Sequence, residues 1–152
     1  MAEVKRLIAR SEVAMGDTWD LSSLYPCDAD WEADFKVFET MIGDYNNFRG
    51  RLAEGPHVLA DCLRFDLKVD GLAERLGTYA FLKTTEDQAN SSYQSLTARF
   101  QSVAVKAGQL ASYIRPEILS LPAAQIADYL VAVELSDLRF VPTPIADRVA
   151  QL

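Results

Sequence analysis

The amino-acid sequence predicts an all-α fold, an antiparallel bundle of three long helices followed by shorter C-terminal helices and preceded by an extended N-terminal arm. Apolar residues recur every three or four positions along three stretches, near residues 30–53, 57–83 and 92–115, which is the period of one buried helix face. Short turns rich in polar residues, Gly or Pro separate these stretches, as in helical hairpins. No segment shows the strict alternation of a half-buried β-strand.

The length and composition correspond to a single globular domain. The chain has 152 residues, of which 49% are hydrophobic and 24% charged, a balance that argues against disorder. We divide this single helical domain, 1–152, into an arm over residues 1–27, a helical core over 28–135 and a boundary stretch over 136–152.

The arm is predicted to lie across the helices through four apolar anchors: Trp19, Leu21, Leu24 and Tyr25. The first helix then begins with Cys27 or Asp28 as its N-cap, and acidic residues follow in the first turn, where the helix dipole favours them. Its apolar stripe predicts about six turns, ended by Gly55-Pro56. The stripe consists of Trp31, Phe35, Phe38, Ile42, Tyr45, Phe48 and Leu52.

The second helix is expected from His57 to Lys83, with a kink or a break near Val69-Asp70-Gly71 because the apolar spacing lengthens to five there. The third helix has the most regular stripe: Tyr93, Leu96, Phe100, Val103, Ala107, Leu110 and Ile114. Small residues cluster within it and predict the close approach of a neighbouring helix. They are Ala104, Ala107, Gly108 and Ala111.

Beyond the third helix, Pro122 is predicted at the first position of a shorter helix. That helix carries the apolar residues Ile126, Tyr129, Leu130 and Val133. Two prolines make residues 138–144 a poor strand. A new stripe, formed by Ile145, Val149 and Leu152, is still incomplete where the sequence stops. We interpret it as part of an interface; the alternative is that this tail folds back and completes the local core.

Negative charge is concentrated in the N-terminal part of the chain, whose formal net charge is −7. The favoured interpretation is a solvated helix face, and the alternative is an acidic rim that steers a cationic partner. The acidic balance argues against a nucleic-acid or anionic-membrane surface. Only Lys36 accompanies the eight carboxylates of Asp17, Asp20, Asp28, Asp30, Glu32, Asp34, Glu39 and Asp44.

The residue patterns of common catalytic and metal sites are not found. His57 is the single histidine, lacks an HExxH partner and is expected at the surface. Cys27 and Cys62 have neither CxxC spacing nor a His base nearby in sequence, and together with the lack of a signal-peptide pattern they favour a reduced, cytoplasmic setting. The pair Glu86-Asp87 is assigned to helix-end capping and loop hydrogen bonds rather than to acid–base catalysis.

Three stretches, in this order and spacing, carry a resemblance to a known family. The first is Arg10–Pro26 with Trp31-Glu32, the second Phe48–Leu52, and the third Leu76–Asp87 followed by Tyr93–Leu96 and Ser112–Leu119. They resemble the N-terminal region of oligoendopeptidase F and its relatives among the thimet-oligopeptidase-like zinc metallopeptidases. The similarity extends from about residue 10 to about residue 135.

This resemblance implies a parent enzyme that cleaves short peptides inside an enclosed channel, using zinc held by an HExxH motif and a further glutamate. Those residues belong to the family's C-terminal catalytic region and none maps onto this chain. The resemblance therefore implies no catalytic, cofactor-binding or metal residue here, and residues 136–152 would be a truncated boundary to a missing catalytic region.

By the same resemblance, the helical domain would form one wall of the peptide-binding channel. Its partners would be the catalytic region or a second copy of the chain, with short peptides bound in the parent enzyme. The alternative is a free-standing helical protein-interaction module without catalysis.

Overall fold

The computed structural model describes residue 8 and residues 10–138, and within them five α-helices form the body of the protein. The described residues contain no β-strand, so the predicted all-α class is confirmed. None of the helices in this part of the chain has the length and apolar character to cross a membrane. The helices are α1 (Asp28–Met41), α2 (Pro56–Glu86), α3 (Ser91–Ala111), α4 (Ile114–Ser120) and α5 (Ala123–Val131).

Four 3₁₀ segments accompany these helices: Arg10–Glu12, Met15–Asp17, Ile42–Asn47 and Val133–Leu138. The predicted poor strand and the stripe of Ile145, Val149 and Leu152 lie outside the described residues, apart from Leu138 itself.

Helix α2 lies at the centre and runs antiparallel to α1. Near the start of α1, the indole Nε1 of Trp31 donates a hydrogen bond of 3.0 Å to the carbonyl oxygen of Leu76, in the second half of α2. After the end of α1, the Tyr45 hydroxyl donates to Asp66 at 2.6 Å, nearer the start of α2. The contacts therefore progress in opposite directions along the two helices.

Helix α3 is antiparallel to α2 in the same way. The hydroxyls of Thr84 and Thr97 are 2.8 Å apart where α2 ends and α3 begins. At the other end, the thiol of Cys62 lies 3.9 Å from the hydroxyl of Tyr113. Helices α1 and α3 consequently run parallel to each other on α2, as three successive antiparallel helices require.

The first helix is shorter than its apolar stripe predicted. Helix α1 ends at Met41 instead of continuing to about residue 53, and a 3₁₀ segment, Ile42–Asn47, follows it. Glycine, aspartate and asparagine in this segment are poor helix formers, and Gly50 then adopts a positive φ of 76° that glycine permits without strain. Tyr45 and Leu52 are still buried. The stripe correctly predicted that these residues are buried but overestimated the length of the helix.

The predicted break in the second helix is wrong, because α2 continues without interruption through Val69-Asp70-Gly71. The spacing of five arose from counting Leu67, whose side chain is 42% exposed. A stripe that passes through the buried Cys62 and Val69 and the half-buried Phe65 has spacings of three and four only. The corrected stripe is Cys62, Phe65, Val69, Leu72 and Leu76.

Three of the four predicted arm anchors are correct. Tyr25 is buried, and Leu21 and Leu24 pack against the core. Trp19 is wrong as an anchor, because it is 61% exposed. The arm is also attached by polar contacts, since the Arg75 guanidinium donates from Nε to the carbonyl oxygen of Leu24 at 2.9 Å. Cys27 occupies the predicted N-cap of α1.

Helices α2 and α3 approach closely at a glycine that the sequence analysis did not single out. A Cβ atom on Gly77 would lie 2.7 Å from the Phe100 ring, whereas one on Gly108 would meet nothing within 4 Å. Gly108 therefore does not face a neighbouring helix, whereas Ala107 of the same predicted cluster is buried.

The C-terminal helices differ from the predictions at their ends. Helix α3 ends at Ala111 and a separate helix, α4, begins at Ile114. Pro122 is the N-cap of α5 rather than its first residue. Val133, predicted to belong to the apolar stripe of this helix, lies beyond its end and is 78% exposed.

Candidate functional site

The residues with chemically reactive side chains do not come together. His57 is exposed in the first turn of α2, as predicted, and Cys27 is exposed before α1. Cys62 is buried within α2, and this burial raises the pKa of its thiol to about 11. A thiol with such a pKa stays protonated near neutral pH and is a poor nucleophile. Within the described part of the chain, no three His, Cys, Asp or Glu side chains are grouped so that they could hold a metal ion.

The neighbouring carboxylates of Glu86 and Asp87 have separate structural contacts. Glu86 forms a salt bridge of 3.1 Å with Arg10 and thereby attaches the arm to the end of α2. Asp87 follows the last residue of α2, and its carboxylate accepts a hydrogen bond of 3.1 Å from the Ala89 amide. The Asp87 contact agrees with the predicted loop hydrogen bonding, whereas Glu86 attaches the arm, a role that was not predicted.

Part of the acidic N-terminal segment is neutralised by cations that are distant in sequence. Three of its eight carboxylates form salt bridges with basic residues of α2 or α3, so the solvated face and the acidic rim both lose part of their charge. The pairs are Asp28–Lys83, Glu32–Arg99 and Asp34–Arg75.

The most enclosed of these pairs belongs to a cluster at one end of the bundle. The Lys83 ammonium lies 3.0 Å from Asp28 Oδ1, and the Tyr79 hydroxyl donates to the same oxygen at 2.7 Å. The ammonium also lies over the ring of Tyr93, 4.4 Å from its centroid. The cluster therefore connects α1, α2 and α3 through one lysine, with a cation–π contact in addition to the ion pair.

The electrostatics of this cluster favour structural attachment over proton transfer. Burial, followed by the hydrogen bond to Asp28, raises the pKa of Tyr79 to about 12. Burial alone would lower the pKa of Lys83, but the hydrogen bond and charge of Asp28 outweigh it and raise that pKa. Both groups therefore remain protonated near neutral pH, whereas an efficient general acid or base has a pKa near the working pH.

A second polar contact, which sequence reasoning missed, organises the connection between α1 and α2. The carboxylate of Glu117 in α4 accepts hydrogen bonds from the backbone amides of Gly50 at 2.9 Å and Leu52 at 2.8 Å. Nothing in the local pattern around Glu117 indicates partners so far away in sequence. Glu117 holds the connection between α1 and α2 in place and is not arranged for catalysis.

Sequence reasoning also missed the lack of acidic residues in α3. Residues 88–116 contain no Asp or Glu although the chain has 22 acidic residues. The same residues include Arg99, Lys106 and Arg115, so the segment is positively charged in an acidic chain, and this contrast could have been read from the sequence.

Together, the fold and its polar contacts define a helical scaffold domain. The contacts described above join its helices and arm to one another.

The matched relatives identify the domain more closely. The chain is 32% identical over 137 residues to Oligopeptidase PepF of Bacillus subtilis, covering 88% of this chain and 20% of that protein. It is 25% identical over 130 residues to Group B oligopeptidase PepB of Streptococcus agalactiae, covering 86% of this chain and 21% of that protein. No family model matches the chain.

Solved structures agree with these relatives. The fold matches oligoendopeptidase-F from Enterococcus faecium with a TM-score of 0.72 and 28% identity, over 80% of this chain and 24% of that one. A protein from Chlamydophila abortus, 23% identical, shares the fold with a TM-score of 0.79 over 89% of this chain. This chain spans about one fifth of the length of the curated relatives it matches. It matches the N-terminal domain of oligoendopeptidase F proteins.

Proposed function

We propose that this chain is the non-catalytic N-terminal domain of an oligoendopeptidase F-type zinc metallopeptidase and that it forms one wall of the channel that holds short peptides. The observation that carries the proposal is the match itself, which extends over 88% of this chain but only 20% of the Bacillus subtilis relative. The remaining four fifths of such a protein leave room for a separate catalytic region.

Under this proposal, zinc binding and peptide hydrolysis belong to the catalytic region. The described residues of this chain do not fit a zinc site, because they contain no suitable group of ligands and the sequence has one histidine. We therefore assign no catalytic, cofactor-binding or metal residue to this chain and derive no step of the reaction through it. Residues 28–135 would supply the wall, and 136–152 would lead towards the catalytic region.

A channel wall has to keep its shape while peptides enter and leave. Trp31, buried completely, stacks on Phe35 with ring centroids 4.8 Å apart and is hydrogen-bonded to α2. Lys83 and Arg99 add salt bridges from α2 and α3 to α1. These contacts oppose separation of the helices, and a wall that resists deformation excludes folded proteins by size. We place the protein in the cytoplasm because Cys27 and Cys62 are too few for a disulfide framework, which favours a reduced setting.

The proposal is tested by a chimera in which this chain replaces the matched residues of the Bacillus subtilis relative. We expect the chimera to hydrolyse a short quenched peptide and to leave a folded protein intact. The relative lacking the matched residues is the control, and we expect it to lose activity towards the peptide or to lose the discrimination by size.

A chimera that folds but does no better than the truncated control would contradict the proposal. It would favour the alternative of a free-standing helical interaction module.

A further inference from the structure

The central helix α2 is covered near its start but not along the same side further on. One stripe of residues at spacings of three and four follows this side of the helix. Its first members, Ala60 and Leu63, are buried, with exposed fractions of 0% and 3%. Its later members are all exposed, and we call them the uncovered face of α2. They are Leu67, Gly71, Glu74, Thr78 and Phe81.

The uncovered face contains two large apolar side chains. Leu67 is 42% exposed and Phe81 is 61% exposed, and about 21 Å of helix lies between them. Other sides of this part of α2 are occupied, by α1 at Leu76, by α3 at Gly77 and by the arm at Arg75. Exposed apolar side chains on the central helix of a bundle indicate a surface that further polypeptide covers.

The described chain ends beside the beginning of this face. Its last segment, Val133–Leu138, packs near the start of α2. There the Arg64 guanidinium donates to Asp137 Oδ1 at 2.8 Å and to the carbonyl oxygen of Glu134 at 2.6 Å. Leu67 is only three residues beyond Arg64 on α2. The polypeptide from residue 139 onwards therefore starts close to the first residue of the uncovered face.

The sequence after residue 138 has the pattern that this face requires. Ile145, Val149 and Leu152 recur at helical spacing and predict an apolar stripe about 12 Å long. Residues 139–144 can bridge up to about 20 Å, which is enough to bring that stripe opposite the uncovered face. Residues 139–152 contain two arginines and one aspartate, whereas the uncovered face carries Glu74 and the whole chain has a net charge of −7. Their charges are thus complementary.

We propose that residues 145–152 dock on the uncovered face of α2, with their apolar stripe turned towards the helix between Leu67 and Phe81. A segment tethered by a short linker is present at a high effective concentration, which favours it over an occupant that arrives from solution. A second copy of the chain would also meet repulsion between two molecules of net charge −7. The inference concerns this chain by itself and does not rest on the proposed function.

Two exposed glutamates provide a matched test in the 152-residue chain. Glu74 lies at the centre of the uncovered face, and Glu39 lies on α1. A photo-crosslinking amino acid replaces one or the other. We expect the probe at position 74 to crosslink within a single chain to peptides from residues 140–152, and the probe at position 39 to give at least tenfold less of this product. Mass spectrometry of the digested monomer identifies the crosslinked peptide.

A pair of substitutions in the tail tests the apolar stripe itself. Val149→Asp places a charge on the stripe, and Ala150→Asp places the same charge beside it. We expect Val149→Asp to reduce the crosslink from position 74 at least fivefold and Ala150→Asp to reduce it less than twofold. The docked segment would be overturned by the absence of an intramolecular crosslink from position 74, by equal yields from positions 74 and 39, by equal effects of the two substitutions, or by crosslinks to a second copy.

Discussion

Helices α1 and α3 both pack on α2 and run parallel to each other, yet they differ in how many residues they bury. Helix α1 buries Trp31, Phe35, Phe38 and Met41 within 14 residues. Helix α3 is half as long again, at 21 residues, and buries only Leu96, Val103 and Ala107.

The two helices also differ in their charged residues. Helix α1 contains five of the acidic residues and forms salt bridges to α2 and α3 through Asp28, Glu32 and Asp34. Helix α3 has no acidic residue and exposes uncharged side chains over most of its outer surface. Three of the five carboxylates of α1 are thus paired inside the domain, whereas most of the exposed side chains of α3 are uncharged.

The largest expected effect is the loss of the central aromatic residue of α1. Trp31→Ala removes a fully buried ring and its hydrogen bond to Leu76, and we expect the free energy of unfolding to fall by about 3–5 kcal/mol. Leu96→Ala in α3, where the side chain is 7% exposed, should cost about 2–3 kcal/mol. Urea unfolding followed by circular dichroism measures both, and a larger loss from Leu96→Ala would reverse the assignment of α1 as the better-anchored helix.

A smaller effect is expected at the contact between α2 and α3. Gly77→Ala places a methyl group 2.7 Å from the Phe100 ring and should destabilise the protein by about 1–3 kcal/mol, because the ring has to move. Gly71→Ala on the same helix meets nothing within 4 Å and should stabilise it by about 0.5–1 kcal/mol through helix propensity. Thermal unfolding of both variants provides the comparison. If Gly77→Ala were as stable as Gly71→Ala, the helices would not be in tight contact there.

The salt bridge between α1 and α3 predicts a modest dependence on pH. Hydrogen bonding to Arg99 lowers the pKa of Glu32 below its ordinary value of 4.5. The stabilising contribution of the salt bridge is therefore present above about that pH and is lost as the pH falls through the folded-state pKa. Glu32→Gln should therefore cost less than about 1 kcal/mol at pH 7 in a pair this exposed. The two proteins should converge in stability as the pH approaches 2, and a difference that persisted there would assign the effect to packing instead.

The smallest effect is expected at two exposed valines, Val37 on α1 and Val105 on α3. Val105→Asp and Val37→Asp should each change the free energy of unfolding by less than about 0.5 kcal/mol, because both side chains are exposed. Denaturant unfolding of the 152-residue chain checks this. A large loss for Val105→Asp would mean that the exposed side of α3 is needed for folding of the domain itself.

The periodicity of apolar residues predicted the fold class and most of the core. Trp31, Phe35 and Phe38 are buried as their spacing required, because a helix stripe is a local property of the sequence. The same reasoning overextended α1 beyond Met41. Buried residues can continue at helical spacing through a 3₁₀ segment, so spacing alone does not determine the type of helix.

The polar contacts could not be predicted in the same way. Lys83 and Asp28 are far apart in sequence, and only the antiparallel packing of α1 and α2 brings them within 3.0 Å. The sequence analysis therefore counted Lys36 as the only cation near the acidic segment and missed the cations supplied by α2 and α3. The hydrogen bonds of Glu117 were missed for the same reason, since its two amide partners precede it by more than 60 residues.

The hydrogen bonds of Glu117 have a consequence for the order in which the protein assembles. The Gly50 and Leu52 amides belong to the connection after α1, but they acquire their acceptor only when α4 is in place. During synthesis or refolding, α1 and α2 can pair while these two protons still exchange freely with solvent. Their protection against deuterium exchange should therefore appear together with docking of α4, so that two amides early in the chain serve as reporters of its C-terminal third.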